Sequence, residues 1–407
     1  MTLDTGSSRT TGFQWLEELG PQRMRPGLSR TLALLSSLAN PQSSFRSILI
    51  GGTNGKGSTA ATISALLAAA GVRAGLYTSP HLVSVTERIR IEDVDVSPES
   101  LDGALGVVAR IAAPGLRGPT YFEALTVAAF ELFRRARVAV AVVEVGIGGR
   151  LDATNVLEPD VSVVTNVAAD HLDVLGPAVE DVAREKAGIF RGGQPALLGA
   201  TGTARGPGAV LHAAARTTGA RLLEIPPIEV LDAAFPLPGA HQRQNLALAL
   251  AAARAVAPLD EAAVARGLAA VRWPGRLQTL ERSGARPLLL DGAHNPSGAA
   301  ALAAHLDAAG LSGRVDLLFG GMADKDLTGV FAPLAARARR IVLVAPESPR
   351  AERPETLRVR LERPELETAA SVAEGLARLE KATGDGPVLV AGSLYLVGEV
   401  LRLRSRA

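Results

Sequence analysis

The chain has 407 residues, 47% hydrophobic and 21% charged, which is enough apolar content for two or three cores of a globular protein. Its 43 basic and 41 acidic residues leave a formal charge of +2, and aromatics make up only 3%, so no basic, aromatic-interleaved surface for nucleic acid is evident. With no cysteine, disulfides, thiolate metal sites and a cysteine nucleophile are excluded, and no apolar run reaches the roughly 20 residues of a membrane span. The N-terminus is polar and shows no signal-peptide core, so a cytoplasmic enzyme is expected, without nucleic-acid or membrane partners.

In chain order, apolar β-rich runs alternate with alanine-rich helical stretches. The predicted strands are Ser47–Ile50, Arg73–Tyr77, Val138–Glu144, Val161–Asn166, Ala196–Leu198, Leu288–Asp291, Val315–Phe319, Arg340–Val344 and Val388–Ala391. Their apolar residues are continuous, which points to parallel sheets covered on both faces. Segment 80–120 reads as an irregular insert suited to a substrate lid, and 201–240 as a loop-rich stretch with room for a small antiparallel hairpin. At Val271-Arg272-Trp273-Pro274-Gly275-Arg276 a Pro-Gly step ends a helical pattern and a new βα series follows, so domains are expected at 1–272 and 273–407. The expected fold is α/β: a P-loop mononucleotide-binding domain with a parallel-rich sheet, then a smaller Rossmann-like α/β domain.

Between the first predicted strand and an alanine-rich helix lies Gly51-Gly52-Thr53-Asn54-Gly55-Lys56-Gly57-Ser58-Thr59. Loop N–H groups and a helix N-terminus can cradle phosphate, Lys56 adds a point charge, and a hydroxyl remains for Mg²⁺. The pattern departs from G-x-x-x-x-G-K-[ST] because Gly57 separates Lys56 from Ser58, which leaves Ser58 and Thr59 as rival metal ligands. An ordinary glycine-rich turn is the bland alternative. Only four lysines occur among the 43 basic residues, Lys56, Lys186, Lys325 and Lys381, so a retained lysine is a candidate for chemistry that arginine cannot do.

Further candidates sit at strand ends, where open α/β sheets bind ligands. Glu144 ends an apolar run beside glycines and could ligate Mg²⁺ or simply solvate a strand end. His171, in Asp170-His171-Leu172-Asp173, is either a metal ligand or a structural histidine. Lys186 sits at a predicted helix C-terminus, where any cation is favoured. Asp291-Gly292-Ala293-His294-Asn295-Pro296 ends a strand and opens a helix, so Asp291 could hold a ribose or metal and His294 a polar substrate. Arg276 lies on the linker, within reach of a phosphate.

In order, these segments resemble the folylpolyglutamate synthase/dihydrofolate synthase family of the Mur ligase superfamily. The likeness also runs through Ser79-Pro80-His81-Leu82, Glu87-Arg88-Ile89-Arg90, Thr120-Tyr121-Phe122-Glu123, Gly146 to Asn155, Pro238 to Asn245 and Gly392-Ser393. The resemblance implies an ATP-dependent ligase adding L-glutamate to a folate or dihydropteroate carboxylate through an acyl phosphate, with ATP as co-substrate and two Mg²⁺ sites. It implies nucleotide contacts from Asn54, Gly55, Lys56, Gly57, Ser58, Thr59, Asn245, Arg276 and Asp291, and metal contacts from Ser58, Glu144, His171 and Lys186. Lys186 matches a position that carries a CO₂-derived carbamate in the family. Substrate contacts are implied for Ser79, His81, Thr120, Phe122, Leu151, Asp152, Ala153, Asp291, His294 and Ser393, with Lys56, Lys186 and His294 as the catalytic set. Arg25-Pro26-Gly27-Leu28 matches the family's pterin-contacting stretch only loosely. A monomer is expected. The rivals are another Mur-type amino-acid ligase, disfavoured because only about 50 residues precede the loop, and a P-loop ATPase without ligase activity.

Overall fold

Runs of consecutive apolar residues become the inner strands of two sheets, and all nine predicted strands are present in the computed structural model, which describes residues 11–20, 25–112, 118–199, 206–229, 235–281 and 284–405. The first sheet contains β1 (Arg46–Gly51), β2 (Ala74–Tyr77), β3 (Ile89–Ile91), β4 (Val94–Asp95), β5 (Val140–Glu144), β6 (Val161–Val164), β7 (Pro195–Leu198) and β8 (Arg221–Glu224). Its order is β4-β3-β2-β5-β1-β6-β7-β8, parallel throughout except at β3 and β4. The second contains β9 (Gln278–Leu280), β10 (Leu288–Leu290), β11 (Val315–Phe319), β12 (Ala338–Leu343), β13 (Glu367–Thr368) and β14 (Val388–Ala391), in the order β13-β12-β11-β14-β10-β9, with β9 alone antiparallel. Separate hydrophobic clusters cover both faces of each sheet, as continuous apolar strands require.

Two sequence expectations need correction. The insert after residue 80 is mostly regular: a 3-10 turn Val85–Arg88 leads into β3 and β4 and then the helix Pro98–Ala112. Residues 113–117 lie outside the described residues. Between residues 206 and 229 there is no hairpin. The helix Pro207–Thr218 leads to β8, which pairs parallel to β7, while 201–205 and 230–234 lie outside the described residues. Gly-rich flanks resemble hairpin turns, but a helix intervenes and forces the parallel crossover.

The helix Lys56–Ala69 is buried from Gly57 to Leu67. It packs against the helices His241–Val256 and Glu261–Ala270, and a Cβ on Gly267 would lie 2.9 Å from the Leu66 Cα. Such burial on every side explains its apolar circumference. In the sheet, Ile50 of β1 is level with Glu144 of β5, and Gly51 with Val164 of β6, so the loops after these strands leave the same edge together. Residues after Val271 run into β9, and the C-terminal helix Leu394–Ser405 meets the first domain where a Cβ on Gly398 would lie 2.0 Å from the Leu82 carbonyl oxygen.

Candidate active site

The carboxyl edges of both sheets face one cavity of about 1290 Å³. Its first wall is the loop after β1. Gly52 and Gly55 have φ of 140° and 82°, a region costly to L side chains, and a Cβ at either would meet Thr165 Oγ1 at 1.8 Å or Asn245 Oδ1 at 2.3 Å. Gly57 is required for a different reason. A Cβ there would lie 2.8 Å from Trp273 Cζ2, so the interdomain linker packs flat on the first helical turn. That contact accounts for the glycine that interrupts the common phosphate-loop pattern.

Lys56 and Lys186 both donate to the Gly52 carbonyl oxygen, at 3.1 and 3.0 Å, and Lys56 also reaches the Thr53 carbonyl at 3.2 Å. Two ammonium groups therefore share one acceptor. Burial first, and the Lys56 charge second, push the Lys186 amine down to about 7, so a neutral amine is populated near neutrality. Beside them Glu144, 4% exposed, accepts Ser79 N–H at 3.0 Å through Oε2, while its other oxygen makes no hydrogen bond among the described residues. Burial raises its carboxyl, against the lowering pull of Lys56, Arg276 and Arg88.

Among the described residues no three His, Asp or Glu groups cluster as a ready-made metal site. The donors that are present, Glu144 with the cavity-lining Ser58 and Ser79, are hard oxygens of the kind Mg²⁺ takes, with phosphate or carbamate oxygens able to complete the shell. Ser58 lines the cavity. Thr59 does not: it is fully buried with its hydroxyl unpartnered, one helical step of ~100° away from Ser58.

His171 also lines the cavity, and its Nε2 lies 3.0 Å from Lys325 Nζ. Burial, then Lys325, lower the ring's pKa, so it is a neutral acceptor. Lys325 donates to Asp170 Oδ1 at 2.7 Å, Asp170 Oδ2 accepts Asn295 Nδ2 at 3.0 Å, and Asn295 Nδ2 also reaches Asn54 Oδ1 at 2.9 Å. Asn54 closes the circuit by donating to Ser297 Oγ at 2.7 Å and to Asn295 Oδ1 at 3.3 Å. This network, whose members Asn54, His171 and Lys325 were sequence candidates but whose mutual contacts were not foreseen, ties the phosphate loop to the second domain.

The second-domain residues are held by their own backbone. Asp291 accepts Leu277 N–H and Ala293 N–H, both at 2.9 Å, one on each oxygen. His294 Nδ1 lies 2.8 Å from the Gly292 carbonyl, which places its hydrogen there and leaves Nε2 as the lone-pair nitrogen; burial holds the ring down at about 4. Arg276 is half-buried at the cavity with Nη1 on the Gly275 carbonyl at 2.9 Å, and Ser393 lines the same wall. Asn245 lines the cavity beneath Gly55, with Nδ2 on Gln242 Oε1 at 2.8 Å.

The remaining wall is aromatic. Thr120 caps the helix Tyr121–Arg135 in a capping box with Glu123, presenting Tyr121 and Phe122 to the cavity. Phe122 stacks on Tyr77 at 5.9 Å. Leu151, Asp152 and Ala153 line the cavity too, Asp152 holding the glycine loop through Ile147 N–H at 3.0 Å and Thr154 Oγ1 at 2.6 Å. Arg25 and Pro26 also line it, so the loosely matching stretch does reach the site. His81 is the exception among the expected substrate contacts. It does not line the cavity, but accepts Arg88 Nε–H at 2.9 Å from behind.

Comparison with known proteins identifies the family. Residues 50–198 match the family model described as Mur ligase middle domain, and 275–394 match Mur ligase, glutamate ligase domain, so the class is that of the Mur ligases. The chain belongs to the dihydrofolate synthase/folylpolyglutamate synthase family: it is 35% identical to the dihydrofolate synthase/folylpolyglutamate synthase of Escherichia coli over 99% of this chain and 97% of that one. It is also 36% identical, over 97% of its length, to a probable bifunctional folylpolyglutamate synthase/dihydropteroate synthase of Haloferax volcanii, and spans 50% of that longer relative. A crystal structure of the bifunctional folylpolyglutamate synthase/dihydrofolate synthase from Yersinia pestis, complexed with AMPPNP and Mn ion, superposes with a TM-score of 0.86 at 32% identity, covering 99% of this chain and 100% of that one.

Proposed function

We propose that this chain is an ATP-dependent ligase that joins L-glutamate to the carboxylate of dihydropteroate or a folate. The observation that carries it is the single cavity in which a phosphate loop, a buried carboxylate with a free oxygen, a lysine of lowered pKa and an aromatic wall meet a second-domain wall bearing Asp291 and His294. A carboxylate does not accept an amine directly. Transfer of the ATP γ-phosphoryl group gives an acyl phosphate and ADP. The amine of glutamate then adds to the carbonyl carbon, and the tetrahedral intermediate expels inorganic phosphate to leave the amide.

Lys56 and Arg276 neutralise phosphate charge, Gly55 and the helix N-terminus bind the phosphates, and Asn245 and Asp291 shape the nucleotide side. Glu144, Ser58, His171 and a carbamylated Lys186 would hold Mg²⁺, which supplies charge neutralisation on the phosphates. The carbamate forms when the neutral Lys186 amine adds to CO₂ and releases one proton. His294 Nε2 is the acceptor suited to take a proton from the glutamate ammonium. Ser79, Thr120, Phe122, Leu151, Asp152, Ala153 and Ser393 shape the acid-substrate and glutamate pockets. We place the domain boundary at 272/273, beside the Pro274-Gly275 step after the helix Glu261–Ala270, and the enzyme in the cytoplasm as a monomer.

The test is ADP formation by purified protein with Mg²⁺, dihydropteroate or tetrahydrofolate, and glutamate. Turnover should require both the acid and glutamate, and ¹⁸O from a labelled carboxylate should appear in the released phosphate. ATP hydrolysis indifferent to both would instead favour a plain P-loop ATPase.

A further inference from the structure

Arg88 stands out as a buried cation outside any ion pair among the described residues, although its charge acts on the Glu144 carboxyl. It is 9% exposed, lines the cavity, and forms no ion pair among the described residues. The acid next to it in sequence, Glu87, is taken up by the backbone N–H groups of Leu82 at 2.8 Å, Val83 at 2.9 Å and Ser84 at 2.7 Å. Arg88 makes one side-chain hydrogen bond, from Nε to His81 Nδ1 at 2.9 Å, and its guanidinium carbon lies 5.5 Å from the centre of the Tyr121 ring. Among the described residues neither terminal nitrogen has a hydrogen-bond partner.

A buried guanidinium with no ion-paired anion is costly, so an anion that docks there recovers the lost interaction. The position narrows its chemistry. All three charges act on Glu144, but Lys56 belongs to the phosphate loop and Arg276 to the linker, whereas Arg88 comes from the segment after β2 and packs on the Tyr121 ring of the aromatic wall. Two terminal N–H groups in a fixed plane match a carboxylate in bidentate fashion. We propose that Arg88 binds the reacting carboxylate of the acid substrate through its terminal nitrogens, oriented by His81 behind it and the Tyr121 ring beside it. This rests on the ligase reading above and names the group that reads the acid. His81 is a positioning residue that acts through Arg88.

The test compares binding of dihydropteroate and of its carboxamide analogue to the whole chain, with ADP affinity measured in parallel. Wild type should prefer the acid at least tenfold. Arg88→Met should lose about 10–100-fold in acid affinity while carboxamide and ADP affinities stay within about twofold. Arg88→Lys should fall between. His81→Leu should erode the preference, and His81→Gln, which keeps an acceptor, should restore most of it. Equal losses for acid and carboxamide, or a loss of ADP affinity instead, would overturn the proposal. A wild-type protein that binds neither ligand would overturn the ligase reading and this assignment with it, whereas binding with unchanged preference in Arg88→Met sinks the assignment alone.

Discussion

The two walls of the cavity are built on opposite principles. In the first domain, basic groups stand outside ion pairs among the described residues: Lys56 and Lys186 share the Gly52 carbonyl, and Arg88 bonds only to His81. In the second domain, polar groups are closed on their own backbone: Asp291 on Leu277 and Ala293, His294 on Gly292, and Asn295 on Gly298 N–H at 2.8 Å. A wall with unmet charge gains most when anions arrive, while a wall already satisfied offers rigid placement. Substitutions in the first should therefore change ligand binding, and substitutions in the second should cost fold as well.

The sharpest way to break this contrast is at Lys186. Lys186→Ala should lower ligation by about a thousandfold, the scale of losing a principal charge-stabilising group. Lys186→Arg should not recover it, because arginine stays protonated and cannot form a carbamate. Small carboxylates should partly rescue the alanine variant. Full activity in Lys186→Arg by steady-state assay would refute the role.

The same lysine makes a stability prediction whose sign is fixed. Its folded pKa of about 7 lies below the ordinary lysine value of 10.5, so between these pH values the unfolded chain binds the extra proton. Stability then rises with pH across that window, and the penalty for burying the charged amine is largest below about pH 7. Lys186→Met should thus be more stable than wild type at pH 6, by on the order of a few kcal/mol, with the difference shrinking toward pH 10. Denaturant midpoints at the two pH values measure it. A difference that does not change with pH would show that the lysine is not held as a depressed amine.

Gly57 tests whether close packing, rather than charge, shapes the loop. Gly57→Ala pushes a methyl into Trp273, which must shift or carry the linker with it. Overpacking of this kind costs about 1–3 kcal/mol. The thermal midpoint and nucleotide affinity should both drop, and the emission of Trp273, one of two tryptophans, should change. Unchanged emission and stability would show that the linker does not rest on the loop.

What the sequence disclosed follows the same physics. Inner strands bury both faces and so advertise themselves as apolar runs. Edge strands such as β8, with its mostly exposed Arg-Leu-Leu-Glu, and the two-residue β13 carry no such signal, and they went unpredicted. Loop residues of the motif were legible because their spacing is local. Thr59 was misplaced by one helical step, and His81 because its ring turns back onto Arg88 instead of into the cavity. The partner of Lys325 could not be read at all, since Asp170 lies 155 residues away and pairing across that distance is a property of the folded chain.

That pair gives the smallest expected effect and the most specific test of how the two walls are joined. Asp170 and Lys325 are 10% and 11% exposed, so their attraction is only partly screened. Burial would raise the Asp170 carboxyl, but Lys325 and His171 outweigh it and hold it well below the usual carboxylate range. A depressed carboxylate contributes stability above its unfolded pKa of 3.8 and loses it as the solution is acidified, so the link between domains should weaken in acid. Lys325→Met leaves Asp170 with the Asn295 amide and the His171 N–H but no cation in hydrogen-bond contact, and Asp170→Asn leaves Lys325 against His171 without its ion-pair partner. Each single change strands a half-buried charge, and the double change strands none, so the double variant should cost less than the sum of the singles by about 1 kcal/mol. Unfolding free energies and an interdomain distance from labels on the two domains supply the cycle. Strict additivity in both would mean that the pair does not couple the walls, leaving the Asn54–Asn295 contact to carry the registry.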